Sequence, residues 1–338
     1  MNDDVKRFPL GDVTLQSGAV LADAHLAYKT YGTLAADGGN VVVVPTFYTG
    51  TSTRNEGYYG RGRAIDPARH FIVSIDMFGN GIATSPSNSA PPQDGPRCPS
   101  TTVRDNVACQ HRLLTERLGV GRIRLVTGWS MGALQTYEWA AQFPEMVDAI
   151  LPFCGSARCS PHNFVFLEGV KAALQADAAW NGGDYAAPPE RGLRAFGRVY
   201  AGWGFSQTFY REHHYRHFGH ATIEDLLVDW EEDFYRGWDA NNLLHKLWTW
   251  QHADISVNEV YGDDLVRALG AIRAKAIVMP CTQDLYFPPE DSAIEVSHMA
   301  RAELRPFDSP FGHCAGSPGA LPAFDRFFDE AVADLLNG

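Results

Sequence analysis

Residues 125–135 read Leu-Val-Thr-Gly-Trp-Ser-Met-Gly-Ala-Leu-Gln, and this stretch decides the fold of the chain. An apolar run over residues 123–127 leads into it, and a helix-favouring segment over residues 133–142 follows. The pattern predicts a strand, a sharp turn and a helix. The turn has the spacing Gly-x-Ser-x-Gly, whose glycines leave room for a serine on a strained bend. Ser130 is the candidate nucleophile, and the alternative is an ordinary glycine-rich turn with a solvated serine.

The composition indicates a large globular chain. It has 338 residues, of which 45% are hydrophobic and 20% charged, enough to bury a sizeable core. The net charge of -12 argues against nucleic acid or an anionic membrane as partner, because like charges repel. The first residues lack an apolar signal core, and no run of about 18 apolar residues occurs. We therefore expect neither a secretory signal nor a membrane span.

The six cysteines include no Cys-x-x-Cys pair, and the closest two are Cys154 and Cys159. Neither a zinc site nor a disulfide framework is indicated by this spacing. We expect a reducing, cytoplasmic setting, with no metal and no cofactor.

The order of predicted elements indicates an α/β fold. Alternating segments at residues 13–16 and 22–31 flank a Ser-Gly pair and predict an antiparallel pair of strands. Continuous apolar runs at residues 40–45, 71–75 and 149–154 predict strands buried on both faces. A helix is predicted over residues 102–118. The alternation of strand and helix predicts a mostly parallel central sheet with helices on both sides.

Residues 156–270 differ from the rest of the chain in their pattern. They contain helical segments and loops without a strong strand. We predict that they form an inserted helical cap on a core made of residues 1–155 and 271–338. In that core, strands are expected at residues 276–280 and 302–307, and a last helix at residues 319–336. Six of the eight tryptophans fall in the predicted cap: Trp180, Trp203, Trp230, Trp238, Trp248 and Trp250.

A serine hydroxyl needs a base beside it and an acid that orients the base. In this class of fold these groups follow the serine in the order acid, then histidine, on loops after strands. Asp284 follows the strand at residues 276–280, and His313 follows the strand at 302–307. We predict a catalytic triad of Ser130, Asp284 and His313. Asp291 and Asp308 are alternative acids, although Asp291 lies in a Pro-Glu-Asp-Ser run typical of a helix start.

A tetrahedral oxyanion needs two backbone N–H donors. One is predicted at Met131, directly after the candidate nucleophile. The other is predicted in the loop after the strand at residues 40–45, where we choose Tyr48 and leave Phe47 as the alternative.

Several short motifs carry a resemblance to a known family. They lie at residues 26–32, 62–66, 104–107, 128–135, 138–140, 238–241 and 284–288. Through them the chain, from about residue 26 to its end, resembles the homoserine O-acetyltransferase family of the α/β-hydrolase fold. The resemblance implies that Ser130 takes an acyl group from a donor and that His313 activates the acceptor. Some members transfer acetyl from acetyl-CoA to an alcohol, whereas others hydrolyse short-chain esters. The resemblance also implies a homodimer built through the cap.

The sequence departs from the transferase pattern where an acceptor would bind. The active-site Gly-His-Asp of transferases reads Gly-His-Cys at residues 312–314, which removes a carboxylate that could pair with an ammonium group. A Thr-Tyr-Leu-Ser segment of the cap reads Gly-Trp-Gly-Phe-Ser at residues 202–206, and the usual Gly-Gly-Ser reads Gly-Trp-Ser at residues 128–130. A buried polar acceptor without a partner binds poorly. An aromatic pocket for a small apolar group is expected instead, with substrate contacts from Phe47, Trp129, Phe205 and Cys314.

We therefore predict a serine hydrolase that cleaves short-chain, acetyl-type carboxylic esters of small molecules. The alternative is an acetyl-CoA-dependent O-acetyltransferase acting on homoserine or another small alcohol. A binding protein without catalysis is a third hypothesis, and the intact triad counts against it. Five arginines are candidate sites for a substrate carboxylate, although a surface or structural role is the simpler interpretation: Arg54, Arg158, Arg191, Arg194 and Arg198.

Overall fold

The computed structural model describes residues 5–337, and within this range eight strands form one sheet. The strands are β1 (Lys6–Thr14), β2 (Val20–Tyr31), β3 (Val41–Pro45), β4 (Phe71–Ile75), β5 (Leu125–Trp129), β6 (Ala149–Phe153), β7 (Lys275–Val278) and β8 (Ala302–Leu304). Their order across the sheet is β1-β2-β4-β3-β5-β6-β7-β8. The β1–β2 and β2–β4 pairs are antiparallel, and every later pair is parallel. The predicted α/β architecture with a mostly parallel sheet is confirmed.

Strand β3 shows why the sheet lies in the middle of the molecule. Its four valines, residues 41–44, are fully buried. Val41 and Val43 belong to one hydrophobic cluster, whereas Val42 and Val44 belong to another. Because successive side chains of a strand point to opposite faces, both faces of the sheet are covered.

One helix precedes β5 in the sequence, and another follows it. Helix α1 (Val103–Arg112) begins at a capping box, in which the side chains of Thr102 and Asp105 each accept the other's backbone N–H. It is shorter than predicted, because its last turn (Leu113–Arg117) changes to π-helical geometry. Helix α2 (Met131–Gln142) follows β5 directly, and eleven of its residues are buried.

Six helices lie between β6 and β7, inside the segment predicted as a cap, and we call them the insertion helices. They pack closely at a glycine: a Cβ at Gly197 would lie 2.6 Å from the carbonyl oxygen of Trp230. In the described chain this segment contains one isolated bridge, Arg158 to Asp254, and no strand. The helices are α3 (Pro161–Gln175), α4 (Glu190–Gly204), α5 (Gln207–Arg211), α6 (Ile223–Gly237), α7 (Ala240–Gln251) and α8 (Leu265–Gly270).

Helix α9 (Pro289–Ser297) follows β7, and α10 (Pro322–Asn337) ends the described chain. None of the helices within residues 5–337 has the length and apolar character needed to cross a bilayer.

The predicted strand bounds differ at three places: β1 covers Lys6–Thr14 rather than residues 13–16, β8 ends at Leu304 rather than at residue 307, and β5 lies two residues later than expected. Gly128 and Trp129 continue the strand because they pair with Pro152 and Phe153 of β6, whereas Ile123 forms only an isolated bridge to Val147.

Candidate active site

Ser130 lies on the bend between β5 and α2. Its backbone has φ 57° and ψ -123°, a region that residues other than glycine rarely adopt. The flanking glycines make this bend possible. A Cβ at Gly128 would lie 2.6 Å from the backbone of Gly132, and a Cβ at Gly132 would lie 2.8 Å from the carbonyl oxygen of Pro45. Larger residues at either position would push the helix away from the sheet.

Two loops bring an imidazole and a carboxylate to this serine. His313 Nδ1 lies 2.8 Å from Asp284 Oδ2, and His313 Nε2 lies 3.0 Å from Ser130 Oγ. The three residues are at most 4% exposed. When Nδ1–H donates to Asp284, Nε2 is free to accept the hydroxyl proton of Ser130. The geometry is therefore that of a proton relay ending on a hydroxyl.

The orientation of Asp284 is fixed by its own loop. Its Oδ1 accepts hydrogen bonds from the backbone N–H groups of Tyr286, at 2.7 Å, and Phe287, at 3.2 Å. The two alternative acids lie elsewhere. Asp291 is in the first turn of α9, behind the N-cap residue Pro288, and Asp308 accepts hydrogen bonds from the side chains of Thr282 and Gln283.

Aromatic side chains enclose the imidazole. The Trp129 ring stacks on His313 with centroids 4.9 Å apart, and its Nε1 donates to the His313 carbonyl oxygen at 3.2 Å. The Phe47 ring lies 4.7 Å from Trp129, and Tyr286 lies 4.4 Å from His313. These contacts keep water away from the flanks of the histidine.

Ser130 and His313 open into a cavity of about 630 Å³ between the sheet edge and the insertion helices. Helix α4 contributes Tyr200, and α6 contributes Trp230 and Phe234. A cavity of this size with several aromatic rings in its wall suits a small organic ligand. Seven aromatic residues line it: Phe47, Tyr48, Trp129, Tyr200, Trp230, Phe234 and Tyr286.

The cavity also contains Cys314, but Phe205 is not among its lining residues. Burial raises the pKa of the Cys314 thiol, and the nearby Asp284 raises it further, so the thiol is uncharged. Phe205 follows the end of α4 and is 4% exposed. Its ring stacks on Phe209 with centroids 3.9 Å apart. Of the four predicted substrate contacts, the structure thus brings Phe47, Trp129 and Cys314 to the cavity and places Phe205 in the packing beside it.

The candidate oxyanion donors lie on two adjacent backbone segments. Met131 is the first residue of α2, and Tyr48 is in the loop that follows β3. Gln135 of α2 ties the segments together, because its Nε2 donates to the carbonyl oxygens of Thr46, at 2.7 Å, and Met131, at 3.1 Å. Within residues 5–337 the N–H groups of Tyr48 and Met131 have no acceptor in the chain, which leaves them free for a ligand. The Tyr48 ring stacks on Tyr200, and its hydroxyl donates to Leu243 O at 2.8 Å.

One of the five candidate arginines, Arg54, lines the cavity. Its guanidinium carbon lies 5.1 Å from the centre of the Phe47 ring. Arg191 is exposed. The other three form ion pairs within the protein: Arg158 with Asp254, Arg194 with Glu190 and Glu232, and Arg198 with Glu224 and Glu231.

Cys154, Asp284 and His313 place possible metal-ligand atoms within 4.8 Å of one another. However, Asp284 and His313 already bond to each other, and burial raises the pKa of Cys154 well above its usual value. A metal would need the thiolate form, so the donor set suits proton transfer better than metal binding.

Three aromatic residues of the site were not identified from the sequence. Tyr286 stands two residues after Asp284 in a recognised motif, so its proximity could have been inferred. Tyr200 and Trp230 could not, because the packing of α4 and α6 decides which aromatic residues of the insertion face the serine.

The chain is similar to known proteins over most of its length. Residues 40–317 match the alpha/beta hydrolase fold family. A probable esterase of Corynebacterium glutamicum is 38% identical over 328 residues, covering 95% of this chain and 93% of that protein. An ethyl acetate hydrolase of Pseudomonas veronii is 36% identical over 331 residues, covering 97% and 94%. The solved structure of the acetyl esterase MekB has a TM-score of 0.95 and 34% identity, covering 99% of this chain and 97% of that one.

The transferases that the motifs resemble are also relatives. A homoserine O-acetyltransferase of Chlorobium chlorochromatii is 31% identical over 317 residues, covering 88% of this chain and 87% of that protein. The predicted resemblance is thus confirmed. The chain therefore belongs to the alpha/beta hydrolase family, among relatives that include esterases and homoserine O-acetyltransferases.

Proposed function

We propose that this protein is a carboxylic ester hydrolase that cleaves short-chain, acetyl-type esters through an acyl-serine intermediate. The observation that carries the proposal is the hydrogen-bonded chain from Asp284 through His313 to Ser130, which opens into an aromatic cavity. The relatives named as an ethyl acetate hydrolase and an acetyl esterase support the choice of a small acyl group.

The proposed reaction has two half-reactions. His313 Nε2 takes the proton of Ser130 Oγ, which attacks the ester carbonyl carbon. The oxyanion accepts hydrogen bonds from the N–H groups of Tyr48 and Met131, and it collapses as His313 protonates the departing alcohol. His313 then takes a proton from water, which attacks the acyl-serine, and it returns that proton to Ser130 Oγ as the carboxylic acid leaves.

The second candidate is an acetyl-CoA-dependent O-acetyltransferase, which could use the same acyl-serine chemistry and is favoured by the 31% identical transferase. Two features of the cavity support hydrolysis instead. Beside the triad, the uncharged Cys314 replaces the carboxylate of the transferase pattern, so an acceptor's ammonium group has no partner at that position. Along the cavity, the carboxylates of Asp229, Glu232 and Asp233 outnumber the guanidinium groups of Arg54 and Arg236, which disfavours the phosphates of CoA.

The two candidates are separated by one pair of assays. We expect the protein to hydrolyse p-nitrophenyl acetate and ethyl acetate, and Ser130→Ala to abolish both activities without changing the circular dichroism spectrum. We expect thiol release from acetyl-CoA to stay unchanged when homoserine is added. A homoserine-dependent increase would establish the transferase, and Ser130→Ala activity above a tenth of wild type would refute the nucleophile.

We further propose that the insertion helices act as the cap of the site and that two copies associate through them. Apolar side chains on their outer surface support this association: Phe164 is 43%, Val165 66% and Val228 43% exposed. Sedimentation velocity should give a dimer, and Val165→Glu should shift it towards monomer. A cytoplasmic location is proposed because each of the six cysteines, all in the described part of the chain, is a free thiol.

A further inference from the structure

Helix α7 carries a lysine in an unusual place. Lys246 is fully buried, and its Nζ donates to the carbonyl oxygen of Phe47 at 2.9 Å. Among residues 5–337 it forms no ion pair, and the rings of Tyr48 and Trp238 face it at 5.8 and 6.0 Å. Burial lowers the pKa of Lys246 to about 7, although Asp76 acts in the opposite direction. An apolar residue would pack here more favourably, so the ammonium group needs another explanation.

The acceptor of this hydrogen bond belongs to the peptide unit that carries a candidate oxyanion donor. In a planar trans peptide the carbonyl and the next N–H point in opposite directions. A group that fixes the Phe47 carbonyl therefore also fixes the direction of the Tyr48 N–H. Gly50 N–H donates to the same carbonyl at 2.9 Å, so two donors hold it. The Tyr48 N–H on the opposite side has no acceptor within residues 5–337, and Tyr48 lines the cavity with Ser130.

We propose that Lys246 is a positioning residue of the oxyanion hole, which holds the Phe47–Tyr48 peptide so that the Tyr48 N–H faces the ester oxygen. This inference rests on the proposed hydrolase function. Without the ammonium group only the Gly50 N–H holds this carbonyl, so the peptide is freer to turn its carbonyl towards the developing negative charge. A charged donor on the carbonyl also polarises the peptide, which strengthens the hydrogen bond that its N–H donates.

The surrounding chain leaves room for the lysine stem. Gly79 has φ +82°, and a Cβ there would lie 2.9 Å from Lys246 Cγ and 2.6 Å from His245 Nδ1. The neighbouring carbonyl of Thr46 is held by Gln135, so the peptides on this loop are fixed from α2 and from α7. The insertion helices thus contact the peptide of the oxyanion site through the Lys246 side chain.

The test compares two buried lysines. Lys246→Met keeps the length and the packing but removes the donor. Lys29→Met is the control, because Lys29 is also buried, at 5% exposed, and pairs with Glu56. Neither residue of that pair is among those lining the cavity. For Lys246→Met we expect kcat with p-nitrophenyl acetate to fall roughly 10- to 100-fold, and KM to change less than about threefold. This loss in kcat is at most about as large as the loss caused by removing a whole oxyanion donor.

A trifluoromethyl ketone provides a readout that packing alone would not move, because it forms a tetrahedral oxyanion on the serine. Its affinity should fall by the same factor as kcat in Lys246→Met and stay unchanged in Lys29→Met. An unchanged kcat, or a reduced kcat with unchanged ketone affinity, overturns the proposal. If Lys246→Met does not fold, Lys246→Gln takes its place, with an intermediate loss expected from its shorter, neutral donor.

Labelling of Ser130 by a fluorophosphonate keeps the two proposals apart. If the wild-type protein is not labelled, the proposed hydrolase function fails. If the wild type is labelled and Lys246→Met retains full kcat, only the role of Lys246 fails.

Discussion

The sheet and the insertion helices build opposite walls of one cavity by different means. At the sheet edge, Ser130 depends on a strained backbone and on two glycines at which a Cβ would lie within 3 Å of neighbouring backbone atoms. On the opposite wall, Tyr200 and Trp230 contribute ring volume from the middle of regular helices. Chemistry therefore depends on backbone geometry at the first wall, whereas the fit of the substrate depends on side-chain size at the second. The following changes test this division.

The largest effect is expected at the sheet edge, for Asp284→Asn. The amide would favour the wrong tautomer of His313, so kcat should fall roughly 10³- to 10⁴-fold while the fold is kept. Steady-state kinetics with p-nitrophenyl acetate measures the loss. Asp308→Asn, a change in the alternative acid on a neighbouring loop, should stay within twofold of wild type. Similar losses in both variants would contradict the assignment of Asp284.

A glycine at the sheet edge and a glycine in the insertion helices give the next comparison. Gly128→Ala places a Cβ 2.6 Å from the backbone of Gly132, so we expect a loss of about 2–4 kcal/mol in unfolding free energy and at least a tenfold lower kcat. Gly169 lies in α3 and has no atom within 4 Å of a built Cβ. Gly169→Ala should therefore stabilise the protein by up to about 1 kcal/mol through helix propensity. Equal changes in the unfolding free energy of the two variants, measured with urea, would contradict the proposed difference between the two regions.

Glu295 links the two regions and predicts a pH effect. It lies on α9, and its Oε1 accepts the backbone N–H of Ala157 at 2.7 Å, just before the insertion helices. Burial raises the pKa of Glu295 from 4.5 to about 8. Between these values the folded state keeps a proton that the unfolded state has lost, so this group's contribution to stability falls as pH rises from 4.5 to 8.

The melting temperature reports this effect. Between pH 5 and 9 it should fall less in Glu295→Gln than in wild type, by an amount that corresponds to roughly 1–3 kcal/mol in unfolding free energy. Glu290→Gln, an exposed change on the same helix, should follow the wild type. Parallel curves for all three proteins would contradict the raised pKa.

The smallest effect is expected on the helical wall. Trp230→Ala enlarges the cavity, so the ratio of kcat/KM for p-nitrophenyl butyrate to that for the acetate should rise roughly 3- to 10-fold. Trp248 stacks on His252, at 3.9 Å between centroids, and does not line this cavity. Trp248→Ala should leave the ratio unchanged. A rise in Trp248→Ala, or none in Trp230→Ala, would show that the helical wall does not set chain length.

The same division explains how far the sequence could predict the molecule. The bend at Ser130 has a local cause, since its glycines and its strand are adjacent in the chain. Asp284 and His313 could be found because a parallel sheet brings loops after its strands to one edge. The bounds of β5 were two residues off, because pairing with β6 rather than local composition sets where that strand ends.

The helical wall was less accessible to prediction. Phe205 follows the last residue of α4, where the direction of the turn decides whether a ring enters the cavity or packs on Phe209. Lys246 was missed for a related reason. A lysine on a helix is normally interpreted as facing solvent, and only the three-dimensional packing of α7 places it against Phe47.

The hydrogen bond from Trp129 Nε1 to the His313 carbonyl has a consequence for turnover. It links the residue before the candidate nucleophile to the loop that holds the candidate base. Thermal motion of one segment therefore carries the other with it, and the Ser130 hydroxyl stays near the His313 imidazole. A displacement of the insertion helices would leave the hydroxyl and the imidazole together, because this link does not pass through those helices. Each new ester would then bind to a site in which the hydrogen bonds among Asp284, His313 and Ser130 are already formed.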